Sequence, residues 1–555
     1  MGVLAVTGLG CLATGTAVLL LPFFAETEPL RPEKVDIIFE KPRSKPPTSK
    51  EENREMVSPQ HVQVKKSWEN PGVYAWGSNT GKVVAPESKE AFVKTPRRLS
   101  YFDGQILRDL KLDRDFGAAV TENGDLVQWG TAFSKGSANP IITLKGKDLV
   151  KIAISRDRII ALSSGGSVYS IPVASADQTA KETASTSSSW IPFWSSAPPT
   201  VSYRILKPKS LGWGEKVVDV SSGLEHCLML TSKGRVFSAA SSSEDFPARG
   251  QLGIPGLTWQ TRPEGPYDQP YEIGALHRFK VKAIATGDFH SLALDSDGRV
   301  FSFGDNSSGQ LGFQSELGSP YVDVPAPLPV TALYNGTKLL PKVTSIAAGG
   351  LNSYFTVDAK RVQGKGNNAK ELVPVKDLGK TISETWACGE GIYGSLGTGK
   401  WTHISTAPTK IKALSNLYEY DEATNTIVPI RPAHLSVGAT HVCAVLDNAT
   451  HLSASGQTSA NDTNYGADTL WWGGNESYQL GTGKRSNANT PLYIGPLDGG
   501  QQAGSSVVGR LEGTDRFQVT PRKTVRLGEG GSGRKVSIEQ RVECGRLVTA
   551  VYTGT

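Results

Sequence analysis

Between Gly287 and Gly312 the chain reads Gly287-Asp-Phe-His290-Ser-Leu-Ala-Leu-Asp-Ser-Asp-Gly298-Arg-Val-Phe-Ser-Phe-Gly304-Asp-Asn-Ser-Ser-Gly309-Gln-Leu-Gly312, and weaker copies of this unit recur along the sequence. A recurring unit fixes the architecture before any local motif does, because a single copy cannot bury its apolar face alone. Gly223-Leu-Glu-His226 through Gly234-Arg-Val-Phe237 repeats the first half in register, and Gly389 to Gly397 and Gly473 to Gly481 repeat the second. Thr121-Glu-Asn-Gly124-Asp-Leu-Val-Gln-Trp129-Gly130 and Ser163-Ser-Gly-Gly166-Ser-Val-Tyr169 are fainter copies. Two halves stand apart. Val73-Tyr-Ala-Trp76-Gly77-Ser-Asn79 has no first half before it, and Val542-Glu-Cys-Gly545-Arg-Leu-Val-Thr-Ala-Val551 has no second half after it.

Within each unit apolar and polar residues alternate over short runs, as in Val281-Lys-Ala-Ile-Ala and Ser291-Leu-Ala-Leu, which is strand periodicity. Ser-Asp-Gly298 and Glu-Asn-Gly124 supply the positive-φ residue a tight hairpin needs. Blades of this kind stack radially, and a closed ring leaves only short edges. Counting the two halves as one unit predicts an all-β, seven-bladed β-propeller whose split blade is closed by the two termini.

The pattern Gly-x-x-His-Ser-x-Ala-Leu, then Gly-x-Val-aromatic-x-aromatic-Gly-x-Asn, then Gly-Gln-Leu-Gly resembles the regulator-of-chromosome-condensation repeat. The resemblance implies a seven-bladed propeller with terminal closure over residues 72–554, and it is uneven. His226, His290 and His441 hold the histidine position, whereas Phe116, Arg158, Asn352 and Val548 stand there in the other units. The surplus over the repeat lies in insertions at 174–210, 255–279, 313–341, 359–383, 451–468 and 495–534, and specificity is expected there.

No residues present themselves for catalysis, a cofactor or a metal. The three repeat histidines come from different blades with no second ligand at metal spacing, and a propeller uses such residues to bond neighbouring strands. The five cysteines, Cys11, Cys227, Cys388, Cys443 and Cys544, are odd in number, and four fall in predicted strands as small buried thiols. The chain has no Gly-x-Ser-x-Gly elbow, no HExxH and no phosphate loop. Gly528-Glu-Gly-Gly-Ser-Gly533 reads as a flexible stretch. A formal net charge of +6 over 555 residues does not indicate a nucleic-acid partner.

Residues 1–25 contain no charge and end in Val18-Leu-Leu-Leu-Pro22-Phe-Phe24, long enough for one membrane-spanning helix. A membrane anchor is the reading adopted over a cleaved secretory signal, which lacks a basic start and an Ala-x-Ala site, and over myristoylation, which wants Ser or Thr where Val6 stands. Residues 26–70 read as a Pro/Lys-rich linker centred on Lys41-Pro-Arg-Ser-Lys-Pro-Pro47, leaving 71–555 for the propeller. Arg31, Lys34, Lys41 and Arg43 follow the apolar run, which places the propeller on the cytosolic or matrix side.

Within the Ser/Thr-rich insertion, Trp190-Ile-Pro-Phe-Trp194 is the one candidate partner-binding site; Trp190 and Trp194 either anchor a partner or tuck onto the blade beneath. An anchor joined to a degenerate propeller is similar to a fungal mitochondrial inner-membrane family linked to assembly of the cytochrome bc complex, respiratory complex III. The resemblance implies a protein-interaction platform with complex III subunits or assembly factors as partners, on the matrix side of the inner membrane. The competing class is a guanine-nucleotide exchange factor for a small GTPase, as in the founding nuclear member.

Overall fold

The alternation around Gly287–Gly312 folds as four antiparallel strands in sequence order, Val281–Thr286, His290–Asp295, Val300–Asp305 and Tyr321–Pro327. This comes from a computed structural model describing residues 59–178, 201–314, 320–364, 372–374, 381–421, 425–452, 463–498, 516–526 and 535–555. The two middle strands are buried along their whole length, since each blade is covered on both faces by its neighbours. At the hairpin between them Gly298 takes a φ of +89°, and its amide donates to the Asp295 carbonyl at 3.2 Å. That backbone conformation is open to glycine and strained for other residues.

Four further sheets repeat the plan. Their first three strands are Leu149–Ile154, Arg158–Ser163 and Val168–Pro172; Val217–Ser222, His226–Thr231 and Val236–Ala240; Leu339–Gly349, Asn352–Gly364 and Ile382–Glu390; and Pro432–Val437, His441–Leu446 and Ala467–Gly473. Apolar clusters join one blade to the next. Leu292, Leu294 and Val300 pack with Val343, Phe355 and Val357 of the following blade, each buried Leu, Val or Phe stabilising by roughly 1.5–3 kcal/mol.

The expectation of seven blades is corrected here: five blades stand as separate four- or five-stranded sheets, and the remaining blade strands join in one nine-stranded sheet. Its centre is the C-terminal strand Val548–Gly554, antiparallel both to Val73–Ser78 and to Lys535–Cys544, with Trp76 opposite Thr549 and Val542 opposite Val551. The same strand touches Leu107–Leu112 in parallel through the single pair Leu107 and Gly554, and the Thr555 amide donates to the Leu107 carbonyl at 3.1 Å. That bridge fuses what the repeats alone present as two units.

The expected transmembrane helix is corrected as well. Among the described residues no helix is long and apolar enough to cross a membrane, and residues 1–25 lie outside them. Part of the segment read as linker is helical, from Pro59 to Glu69. This helix is held by the C-terminal insertion: Gln63 Nε2 donates to the Arg516 carbonyl at 3.0 Å and Trp68 Nε1 to the Pro521 carbonyl at 3.3 Å. Short hairpins stand beside the blades: Thr450–Leu452 with Thr463–Tyr465 at the 451–468 insertion, and Leu417–Asp421 with Thr426–Ile430 in the connection between two blades.

Candidate functional site

The signature residues of the repeat are spent between blades. His290 Nε2 lies 2.8 Å from Ser353 Oγ of the next blade, and Ser353 Oγ donates at 2.7 Å to the carbonyl of Gln310 in the Gly309-Gln-Leu-Gly312 loop. A hydroxyl that donates to a carbonyl accepts from the imidazole, so the proton of His290 sits on Nε2. The relay recurs twice. His226 meets Ser291, which donates to the Gln251 carbonyl, and His441 meets Thr549, which donates to the Gln479 carbonyl. Burial pushes the imidazoles of His226, His290 and His441 down to about 3, 4 and 3, so all three are neutral at physiological pH.

At four positions the residue before the strand-ending glycine adds to the clamp. Trp76 Nε1 donates to the Gln479 carbonyl at 2.8 Å, Trp129 Nε1 to Val83 at 2.9 Å, Trp472 Nε1 to Ser395 at 2.7 Å, and the Cys388 thiol to Gln310 at 3.5 Å. Where Asn352 replaces histidine, its amide donates to Ser395 Oγ at 3.2 Å while Tyr354 donates to the Ser395 carbonyl at 2.6 Å. Cys227, Cys388, Cys443 and Cys544 are free and buried, as expected of small core thiols. Among the described residues no cluster of three or more His, Cys, Asp or Glu side chains is placed to hold a metal.

The first strands of the five blades, with Leu107–Leu112 and Lys535–Cys544, converge on an axial cavity of about 230 Å³. Its charges are paired internally. Lys111 contacts Glu543 at 2.7 Å, and Arg546 reaches Asp288 at 2.9 Å and Asp113 at 3.5 Å. Burial works against the Arg546 cation, but Asp288 and Asp113 outweigh it and hold the guanidinium above its ordinary range. With carboxylates already facing its cations, the cavity is a cross-braced axis; it offers no nucleophile–base pair. Reading the sequence did not find this group. The signal was present in the strand period: Asp109 and Lys111, and Arg541 and Glu543, stand two apart and so share one face of their strands.

Trp190 and Trp194 lie outside the described residues. Large apolar side chains are nevertheless presented on other loops: Trp213 is 99% exposed, Trp401 58% and Trp259 52%. Trp259 sits in the 255–279 insertion with the Arg262 guanidinium 3.5 Å from its ring centre.

Residues 281–310 and 297–355 match family models described as the Regulator of chromosome condensation (RCC1) repeat. The chain is 27% identical over 372 residues to Protein FMP25, mitochondrial, of Saccharomyces cerevisiae, covering 62% of this chain and 57% of that one. It is 26% identical over 231 residues to RCC1 domain-containing protein RUG3, mitochondrial, of Arabidopsis thaliana, covering 41% and 40%. The chain thus spans little more than half the length of FMP25. The solved structure of Prp20p from Saccharomyces cerevisiae, described with its binding to Gsp1p and histones, aligns with a TM-score of 0.51 at 17% identity over 89% of this chain and 94% of that one. Residues 281–355 thus carry regulator-of-chromosome-condensation repeats within a propeller fold, in a chain similar to mitochondrial proteins of yeast and Arabidopsis.

Proposed function

We propose that this protein is a mitochondrial protein-interaction platform serving assembly of respiratory complex III on the matrix side of the inner membrane, and that it is not an enzyme. The observation that carries the platform reading is the division of labour among side chains. The histidines, hydroxyls and loop carbonyls of the repeat are engaged between blades, whereas Trp259 stands exposed on the 255–279 insertion and Trp401 on the loop between the last two strands of its blade. Tryptophan is enriched among residues that dominate binding energy. The mitochondrial relatives support the location, and the client rests on the resemblance, drawn from the sequence, to a family linked to the cytochrome bc complex. Trp190 and Trp194 are proposed as further partner anchors on the Ser/Thr-rich insertion.

Deleting the protein and resolving mitochondrial complexes on native gels tests the reading. The expected result is loss of assembled complex III, restored by the intact chain and restored poorly by the Trp190→Ala/Trp194→Ala double variant. Normal complex III together with nucleotide exchange on a small GTPase would overturn it in favour of the exchange-factor class.

A further inference from the structure

Antiparallel strands bring two kinds of segment to the same end of every blade: the entry to the first strand and the turn between the second and third. At that end of three successive blades Lys216, Lys280 and Lys342 hold equivalent positions, each immediately before a buried valine and each beneath the turn glycine of the preceding blade. A Cβ at Gly166, Gly234 or Gly298 would lie 2.8 Å from Lys216 Cβ, 3.0 Å from Lys280 Cγ or 2.5 Å from Lys342 Cγ. The packing fixes the stems of these lysines while their ammonium groups stay in solvent. Lys207 and Lys209 lie on the loop that enters the first of these strands and Lys233 on the next turn, and all six lysines are exposed.

Among the described residues none of the six makes an ion pair. Lys216 Nζ donates only to the Ser164 carbonyl, at 2.9 Å. The carboxylates at this end are already taken: Glu215 and Glu272 by Arg235, Asp219 by Lys151, Asp295 and Asp297 by Arg299. Lys282 nearby is held below the ordinary lysine range, first by burial and then by Lys342, as crowded like charges require. In the middle of the entry loop, between Gly212 and Gly214, Trp213 projects 99% exposed.

An unpaired cationic arc attracts anionic headgroups, and an indole favours the boundary between headgroup and acyl chain. Platforms that bind single-stranded nucleic acid stack successive bases on several aromatics; here one indole stands alone at a loop tip. We propose that this end of the propeller docks peripherally on an anionic bilayer surface, with the lysine arc on the headgroup phosphates and Trp213 inserted at headgroup depth. The docking surface is independent of the client proposed above, and loss of either leaves the other standing.

Flotation of the full-length chain with phosphatidylcholine vesicles, with and without cardiolipin, tests it. Binding is expected to rise with cardiolipin and to fall with added salt. Each lysine contributes about fivefold near an anionic surface, so Lys216→Glu/Lys280→Glu/Lys342→Glu is expected to remove on the order of a hundredfold of the cardiolipin-dependent part. Trp213→Ala, which disturbs no packed side chain, is expected to lower it severalfold with an unchanged melting curve. Equal binding to both vesicle types, or cardiolipin-dependent binding that survives both variants, overturns the proposal. So does binding to single-stranded RNA that displaces the vesicles and is lost in the lysine variant.

Discussion

The interface at His290 and the interface at Asn352 do the same job with different chemistry. At the first, one neutral imidazole, one hydroxyl and one loop carbonyl form a buried relay across blades. At the second, Asn352, Tyr354 and Trp472 converge on Ser395 and on a cluster of Leu396, Leu414 and Val442. The repeat therefore conserves a geometric task, tying a loop carbonyl to the next blade, and each interface meets it with the donors it has.

The largest effect is expected where one strand carries both a relay of the His290 kind and the closing strand pairings. Deleting Val548–Thr555 removes the partner of Val73–Ser78 and Lys535–Cys544 and the acceptor hydroxyl of His441. Loss of the cooperative thermal transition is expected; a melt within a few degrees of the intact chain would show that the other contacts suffice.

Next in size comes a direct contrast of the two interfaces by chemical denaturation. His290→Ala empties a fully buried site and leaves Ser353 with one partner, costing about 2–4 kcal/mol. Asn352→Ala costs about 1 kcal/mol, since Tyr354 and Trp472 still hold Ser395. Equal losses would mean that the relay has no special role.

Acid separates the interfaces in another way. The folded chain holds His226, His290 and His441 at about 3, 4 and 3, far below the unfolded value. The unfolded chain therefore binds protons that the folded chain refuses. The stability these groups contribute is complete above about pH 6.5 and is lost as pH falls from there toward 4, by about 1.4 kcal/mol per pH unit for each histidine. His441→Asn is expected to flatten that slope by one proton, whereas Asn352→Ala leaves it unchanged. A slope that His441→Asn does not alter would place the acid sensitivity elsewhere.

The smallest effect is on the surface. Reversing Lys216, Lys280 and Lys342 is expected to change the unfolding free energy by less than about 0.5 kcal/mol per site, because none contributes an ion pair among the described residues. A larger loss would show that these stems brace the turn glycines of the neighbouring blades.

Much of this was legible because the repeat has a short period. Strand alternation, the Gly298 hairpin and the burial of Cys227 and Cys443 follow from residues within a few positions of one another. What could not be read depends on partners far apart in the chain. The contact of Leu107 with Gly554 that fuses two units has no local signature, nor does the pairing of Lys111 with Glu543 across the axis. The helix Pro59–Glu69 was hidden for another reason: it carries Gln60, Gln63, Lys65 and Lys66 on a weakly amphipathic sequence, and it is held by the 516–526 segment. The lysine arc was visible as letters only, since its members become neighbours when successive blades stack.

The pairing of Val73–Ser78 with Val548–Gly554 also sets a rule for biogenesis. The earliest strand of the ring waits for the last one to be made or imported, so Trp76 has no Gln479 carbonyl and no neighbouring Val548–Gly554 strand until nearly the whole chain is present. Non-local closure of this length is slow, and an unpaired apolar strand is a template for misassembly while it waits. A chain closed this way is expected to gain from a holder during synthesis, and one truncated before residue 548 is expected to be a client for chaperones and proteases.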